Sequence, residues 1–253
     1  MTPTEFSDRF DVLYNNLMSN AAPGLNEYEK SVLLTKAQNE IVKNYFNPGG
    51  NKYREGFDQS PKRQIDFSKL MKSVKLTRNT SQEGTYDSRG EHYRYPTDVL
   101  MIVNESLVLT RAQNVLGVRQ VVPIAYDEYA RLMSKPFKEP LKNQAWRLIT
   151  GVDSNDISIA EVIPNNNDRK VDGRYLQVRY VRRPKPIIVA DLDQTVGDVT
   201  IDDEYTAMTS ELDPSIHEEI LQRAVELAKA SYASDQSGQA QLQNQITVGQ
   251  RSE

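Results

Sequence analysis

Cysteine is absent from this chain of 253 residues, and histidine occurs only twice, as His92 and His217. The first absence excludes a disulfide scaffold, a cysteine-ligated zinc finger and a thiol enzyme. The scarcity of histidine leaves few side chains that change charge near neutral pH or bind a metal ion. Composition therefore argues against an enzyme and predicts neither a cofactor nor a metal site.

Long apolar runs are also missing. Mean hydropathy is −0.63, and residues 1–20 carry acids where a signal peptide has a basic and then an apolar block. A membrane span needs about 18 consecutive apolar residues, which the sequence lacks. We expect a protein with no membrane partner that is made and used inside a cell, with enough length for one or two domains.

Charge is distributed unevenly along the chain. The formal net charge is −4, yet residues 187–253 carry three basic and 13 acidic side chains, whereas residues 49–186 carry 24 and 16. Surfaces of opposite sign on one chain suit head-to-tail association between copies or docking to a larger partner. Solvated faces followed by an acidic tail would give the same pattern.

Amphipathic helices are predicted at both ends of the chain. Thr4 is the expected N-cap of the first helix, and Asn26 with Glu29 forms a variant of the capping box at the second. Asp213 or Ser215 begins the third. The apolar positions expected to face inward are Phe6, Phe10, Leu13, Leu17, Val32, Leu33, Ala37, Ile41, Tyr45, Ile216, Ile220, Ala224, Leu227 and Tyr232.

The middle of the chain has the pattern of strands. Short β-branched or alternating runs predict strands at 99–103, 106–110, 115–122, 145–150, 157–163 and 175–181, with short helices near 65–72 and 127–133. Turn-forming residues between Ile163 and Tyr175 predict a hairpin there. The predicted fold is α+β, with terminal helices forming a helical bundle and an inserted antiparallel β-rich body. Residues 1–75 bundle with 211–233, residues 76–205 form the body, and residues 234–253 are a flexible tail.

The sharpest chemical motif is Asp-x-Asp-x-Thr at Asp191, after an apolar run. It resembles the first motif of haloacid-dehalogenase-type phosphotransferases, which implies that Asp191 attacks phosphorus while Asp193 acts as acid and base beside magnesium. That family continues with parallel strands and helices and with distal Ser or Thr, Lys and acidic residues, which the 62 residues after Asp191 do not supply. A magnesium-dependent phosphatase using Asp191 and Asp193 is the alternative function.

Two weaker motifs have simpler readings. His217 has no second histidine four residues later, so it forms no zinc pair and is expected at the surface of the first helical turn. The densest basic cluster interleaves tyrosines, a composition found in grooves that track a nucleic-acid backbone. Arg179 and Tyr180 point to opposite faces of a strand, so this cluster predicts passive contact with DNA and no sequence-specific binding. Its basic members are Arg174, Arg179, Arg182, Arg183 and Lys185.

The two terminal helical blocks carry a family resemblance. APGLNEYEKSVLLTKAQ at residues 22–38 and DPSIHEEILQRAVELA at residues 213–228 resemble the virion structural proteins of short-tailed, crAss-like bacteriophages. With the order helix, β-body, helix, the chain is similar to their ring proteins, the head-to-tail connectors or adaptors below the portal. The resemblance implies a structural protein of the virion, assembled in the host bacterial cytoplasm, and not an enzyme.

The same resemblance implies the partners. It predicts a homo-oligomeric ring, a dodecamer like the portal, that contacts the portal protein and other tail or ring proteins and lines the DNA passage. Three segments are expected at interfaces: the loop with Gly49 and Gly50, the basic strand, and the acidic C-terminal segment with its tail. The interface residues predicted are Gly49, Gly50, Arg179, Arg182, Arg183, Leu242 and Ile246.

Overall fold

The chain contains helices and strands in two compact units. The structure, a computed structural model, describes residues 1–17, 24–46, 65–79, 87, 90–112, 114–133, 139–152, 157–171, 173–192 and 199–232. The helical unit comprises residues 1–69 and 184–253, and the β-rich unit comprises residues 70–183. The mixture of helices and strands confirms the broad fold class. Residues 184–205, which the sequence assigns to the β-rich body, belong to the helical unit.

The elements follow each other in a simple order. The helices are α1 (Pro3–Leu17), α2 (Glu27–Phe46), α3 (Tyr126–Met133) and α4 (residues 217–232). The strands are β1 (Met71–Thr77), β2 (Glu91–Arg94), β3 (Val99–Arg111), β4 (Asn114–Pro123), β5 (Gln144–Val152), β6 (Ser158–Ile163) and β7 (Gly173–Arg182). The six predicted strand runs coincide with the five strands β3 to β7, since two of the runs join as β3; only Ile157, directly before β6, lies outside a strand. The sequence pattern missed β1 and β2.

Reciprocal capping boxes begin both N-terminal helices. At α2, Asn26 and Glu29 exchange backbone-to-side-chain hydrogen bonds of 2.9 and 2.8 Å, as predicted. At α1, the predicted cap Thr4 is wrong. Thr2 and Glu5 exchange the equivalent bonds instead, because this pair has the three-residue spacing of a capping box. Asp213 accepts from Ser215 N at 3.0 Å and precedes a short 3-10 turn (Pro214–Ile216) that leads into α4.

Apolar side chains of α1, α2 and α4 are buried within the helical unit. Phe6, Phe10 and Tyr14 of α1 are nearly inaccessible and repeat at helical spacing. The buried members on the other helices are Leu34, Ala37, Ile41, Val42, Phe46, Ile220, Leu221, Ala224, Val225 and Ala228. Val32 is 38 % exposed, which makes its predicted inward orientation wrong. The inward face of α2 contains the predicted Ala37 and Ile41 but is completed by Leu34 and Gln38, which leaves Val32 outside it.

That inward face of α2 carries polar side chains that bind an extended backbone. Thr35 Oγ1 accepts from Ile187 N at 3.0 Å and donates to Ile187 O at 3.3 Å. Ser31 Oγ accepts from Val189 N at 3.1 Å, and Gln38 Nε2 donates to Lys185 O at 2.8 Å. Side chains of α2 therefore satisfy the backbone along one edge of residues 185–189, while Ile188 on the other edge pairs with Met208.

The β-rich unit is built on one curled sheet. Its strand order is β1-β7-β3-β4-β5-β6-β2. Asn79, just after β1, bridges His92 of β2, and its N–H donates to His92 O at 2.8 Å. The two ends of the sheet are thereby joined. The enclosed core consists of Tyr93, Tyr95, Leu107, Leu109, Val121, Ala145, Ala160, Val162, Leu176, Val178 and Tyr180.

Two topological expectations are wrong. β4 and β5 pair in parallel, because the connection between them contains α3 and carries the chain back to the same end of the sheet. Residues 163–175 form no hairpin, because β6 pairs with β5 and β2, whereas β7 pairs with β1 and β3. Their connection contains a 3-10 helix whose Asp168 binds the Arg119 guanidinium of β4 at 2.8 and 2.9 Å.

A charged pair is buried beside this core. Arg147 Nη1 of β5 lies 3.1 Å from Glu105 Oε2 of β3, and the Tyr95 hydroxyl donates to Glu105 through a short hydrogen bond. The Glu105 and Arg147 side chains are only 4 % and 12 % exposed. Burial raises the pKa of Glu105, whereas the Tyr95 hydrogen bond and the Arg147 charge act to lower it. The ionised form of Glu105 is therefore stabilised in this buried position by Tyr95 and Arg147.

His217 is buried, so its predicted surface position is wrong. Its Nε2 lies 3.2 Å from Leu212 O, its Nδ1 lies 2.9 Å from the Met1 amino group, and its ring centroid is 5.3 Å from that of Phe6. The first turn of α4 is covered by α1 and by the segment that precedes α4. Burial, followed by the Met1 amino group, lowers the pKa of His217.

This lowered pKa predicts a loss of stability at mildly acidic pH. The folded chain keeps His217 neutral, whereas the unfolded chain binds a proton near the ordinary pKa of about 6.5. The unfolded state thus holds more protons below that value, and the free energy of unfolding should fall as the pH drops from about 7 to about 5. Urea titrations at several pH values measure the effect. The loss should shrink in His217→Gln and persist in His92→Gln, and an identical pH dependence in all three proteins would contradict the assignment.

Candidate assembly surfaces

The structure places three of the predicted interface residues on β7 or directly after it. Arg179 is exposed, Arg182 is half-buried, and Arg183 is exposed where the strand ends. Gly49, Gly50, Leu242 and Ile246 lie outside the described residues. The basic cluster is divided by the alternation of the strand and does not form one patch.

Arg179 belongs to a polar outer face of the sheet. The register places Arg179 opposite Ser73 of β1 and Asn104 of β3, and Gln177 opposite Lys75 and Ser106. Tyr175 lies on the same face, and Lys75 Nζ is 5.2 Å from the centroid of its ring. These paired positions carry two cations and no carboxylate. The face therefore suits an anionic partner.

Arg183 lines a cavity at the other end of the strand. The cavity has a volume of about 450 Å³, and its wall also includes Tyr95, Met101, Arg147 and Ile149. Ile149 is 62 % exposed and Met101 is 38 % exposed. The cavity thus combines guanidinium groups with accessible apolar surface, a composition that interfaces favour.

A second exposed apolar surface lies on β4. Val115, Leu116 and Val118 are 59 %, 56 % and 54 % exposed. Branched and long apolar side chains clustered on a strand mark surfaces that other chains cover.

The helical unit has an apolar groove of its own. The groove has a volume of about 350 Å³ and includes Tyr14, Leu25, Tyr28, Val32 and Tyr232 in its wall. It lies where the described part of α4 ends. Exposed aromatic and aliphatic side chains at such a site are typical anchors for a partner.

Net charge separates between the two units. The β-rich unit carries 18 basic and 13 acidic residues, a net charge of +5, and the helical unit carries 13 and 22, a net charge of −9. The predicted opposition of charge along the sequence is therefore an opposition between compact bodies. Electrostatic attraction between unlike units of different copies would orient their association.

The phosphatase alternative gains no support from the structure. Ile188 N and O pair with Met208, so the apolar run before Asp191 is not a strand of a parallel sheet. Asp191 Oδ1 accepts from Ala207 N at 2.7 Å, which engages this carboxylate with the backbone of a segment 16 residues further along the chain. Asp193 lies outside the described residues. Within the described ranges, no three acidic or histidine side chains are grouped to hold a metal ion.

Membrane insertion through a helix is likewise not indicated. None of the helices among the described residues is both long and apolar enough to span a bilayer.

Accessible apolar and charged surfaces of this kind are typical of proteins that pack against other chains. A model of the phage tail ring protein 3/4 family matches residues 1–240. The chain is 56 % identical to ring protein 4/5 of Bacteroides phage crAss001 over 254 aligned positions, which cover all of both proteins. It is 31 % identical to ring protein 3 of the same phage over 231 positions, covering 90 % of this chain and 95 % of that protein.

The chain therefore belongs to the phage tail ring protein 3/4 family. This confirms the resemblance to ring proteins of crAss-like phages that residues 22–38 and 213–228 indicated.

Proposed function

We propose that this protein is a ring-forming head-to-tail connector between the portal and the tail of a short-tailed phage. The observation that carries the proposal is the 56 % identity, over both full lengths, to a protein named ring protein 4/5. Under this proposal the protein has a structural role in the virion, is assembled in the host bacterial cytoplasm, and needs no catalytic residue, cofactor or membrane.

Copies associate head to tail in this proposal. A ring needs a heterologous interface, in which two different surfaces of each copy meet, and closes when the rotation between copies divides the circle. The +5 and −9 units supply surfaces of unlike charge. The terminal helices form one bundle, and the loop at Gly49 and Gly50 contributes to contacts between copies. Twelve copies would match a twelvefold portal.

The neighbours are other ring proteins and the portal. Two relatives in one phage are named ring protein 3 and ring protein 4/5, which supports a role beside further ring proteins. Arg182, Arg183 and the cavity beside them are the surfaces of the β-rich unit that we assign to such contacts.

In this proposal, DNA passes through the ring without sequence-specific contacts to its bases. We assign the polar outer face with Lys75 and Arg179 to this passage, because phosphate contacts by isolated cations carry no sequence information. Weak contact is an advantage for a channel, since tight binding would slow the genome.

Imaging tests the ring directly. Negative-stain electron microscopy of the purified chain, together with sections of purified virions, should show rings and place the protein in the neck of the particle. A chain that stays monomeric at high concentration and is absent from virions would overturn the proposal.

Charge reversal tests the DNA-facing assignment. Lys75→Glu with Arg179→Glu should weaken binding to duplex DNA on the order of tenfold at low salt, because two phosphate contacts are lost. It should also reduce the slope of log affinity against log salt by about two. Fluorescence anisotropy with labelled duplex measures both quantities.

The matched control makes the same charge change in the helical unit. Lys36→Glu with Lys43→Glu alters two exposed positions of α2. If both double variants lost the same affinity for duplex DNA, the loss would be due to net charge alone. That result would contradict a DNA-facing role for β1 and β7.

A further inference from the structure

The N-terminal half of β4 has a free edge. β3 pairs with β4 from Ser106 opposite Gln120 to Arg111 opposite Asn114. On its other side, β4 pairs with β5 only from Gln120 to Pro123. Among the described residues, no strand pairs with residues 114–119 on this second side.

The backbone at this edge is oriented to accept another strand. Gln120 N–H donates to Asn143 O at 3.0 Å, on the β5 side. Because successive residues of a strand alternate in direction, the N–H and C=O of Val118 point to the same side, away from β3. The pairing with β3 shifts at Leu109 and Thr110, which leaves Leu116 without a partner in the register.

Apolar side chains cover this edge. Val115, Leu116 and Val118 are each more than half exposed. Proteins protect exposed edge strands with charges, prolines or covering elements. Residues 114–118 have neither a charge nor a proline. Arg119 Nη1 lies 3.4 Å from Val118 O, while its guanidinium is held by Asp168, so an added strand takes the place of this one long contact.

The C-terminal segment has the matching pattern. Residues 241–248 read QLQNQITV, in which Leu242, Ile246 and Val248 occupy even positions. Even positions share one face of a strand, whereas a helix would turn Val248 away from the other two. Residues 236–250 carry no charge. Residues 114–118 are uncharged as well, so pairing between these two stretches buries no charged side chain of either one.

The occupant comes from a second copy. Pairing of β4 with β4 of another copy would be isologous and would end at a two-fold dimer, whereas a ring requires two different surfaces. The segment from Tyr232 to Leu242 spans ten residues, and an extended chain of that length reaches about 33 Å. This reach lets each copy extend its C-terminal segment to a neighbour.

We propose that residues 241–248 of one copy add as a strand to the free edge of β4 in the next copy, where Leu242, Ile246 and Val248 cover Val115, Leu116 and Val118. This inference rests on the proposed ring. It assigns a specific contact, strand addition, to the interface between copies.

Disulfide trapping is a clean test because the natural chain contains no cysteine. Val118→Cys and Ile246→Cys are made in separate proteins, mixed under assembly conditions and oxidised. A disulfide between Cys residues forms only when the Cα atoms come within about 7 Å. We expect covalent heterodimers on a non-reducing gel and a peptide joining positions 118 and 246 by mass spectrometry. Leu242→Cys repeats the test at a second register.

The control pairs Ile246→Cys with Lys36→Cys, an exposed position on α2, and should give little product. Absence of the 118–246 and 118–242 peptides from the mixtures overturns the proposal, as does their formation only when both cysteines are on one chain. Electron microscopy of the same samples separates the two hypotheses. Rings without the cross-link reject strand addition alone, whereas a wild-type chain that forms no rings rejects the proposed function.

Discussion

Arg147→Met should lower the free energy of unfolding of the β-rich unit by about 3–5 kcal/mol, the usual cost of removing one partner from a buried ion pair. Methionine retains much of the volume of arginine but leaves the Glu105 carboxylate buried with only the Tyr95 hydroxyl to stabilise it. The chain has one tryptophan, Trp146, which is 8 % exposed next to Arg147. Its fluorescence during urea unfolding therefore reports on this unit.

The pH dependence identifies the cause. Burial already raises the pKa of Glu105, and loss of Arg147 should raise it further. Protonation removes the uncompensated charge, so the destabilisation should be smaller at about pH 5 than at about pH 8. Adding Glu105→Leu to Arg147→Met should restore part of the stability, because the pair is then replaced by apolar groups.

The control is the exposed ion pair on the same sheet. Lys72 Nζ lies 2.7 Å from Asp98, with half of the lysine side chain accessible to water. Lys72→Met should cost about 1 kcal/mol or less. If Arg147→Met lowered the free energy of unfolding by as little as Lys72→Met, the buried Glu105–Arg147 pair would contribute no more to stability than an exposed pair.

Gln38→Met should destabilise the helical unit by about 2–4 kcal/mol, because it leaves two polar groups without their partner. Gln38 is fully buried; its amide donates to Lys185 O and accepts from Ser210 Oγ at 2.6 Å. Methionine has a similar shape and makes neither hydrogen bond. Urea unfolding followed by far-UV circular dichroism measures the change, since α1, α2 and α4 belong to this unit.

Lys36→Met provides the matched comparison for this helix. Lys36 is exposed on α2, and lysine and methionine have similar helix propensities, so the change should stay within about 0.5 kcal/mol. A similarly small effect of Gln38→Met would show that α2 holds residues 185–189 through apolar packing alone.

Local signals were readable from the sequence, and long-range pairing was not. The Asn26 capping box, α3 and the strand runs depend on neighbours within a few residues, and the structure contains them. The sequence pattern did not predict the polar contacts of Thr35 and Gln38, because apolar periodicity does not include polar side chains. Their partners also lie about 150 residues away along the chain. The burial of His217 was missed for the same reason.

For the assembly surfaces, too, the local features were predictable from the sequence and the long-range ones were not. The sequence predicted a strand over residues 115–122, but its free edge depends on where β5 begins to pair, which no local pattern encodes. The opposite charges were visible along the chain. Their separation into two compact units depends on residues 184–192 and 199–232 belonging to the same unit as the N-terminal helices, which is a long-range property of the fold.

The first and last strands of the β-rich unit, β1 and β7, are neighbours in its sheet. Its first strand begins at Met71, and Met71 pairs directly with Val181 near the end of β7. Paired strand residues have Cα atoms about 5 Å apart. The two ends of the β-rich unit therefore meet within the unit itself, which is the arrangement that lets a domain be inserted into another chain without changing the order of its host's elements.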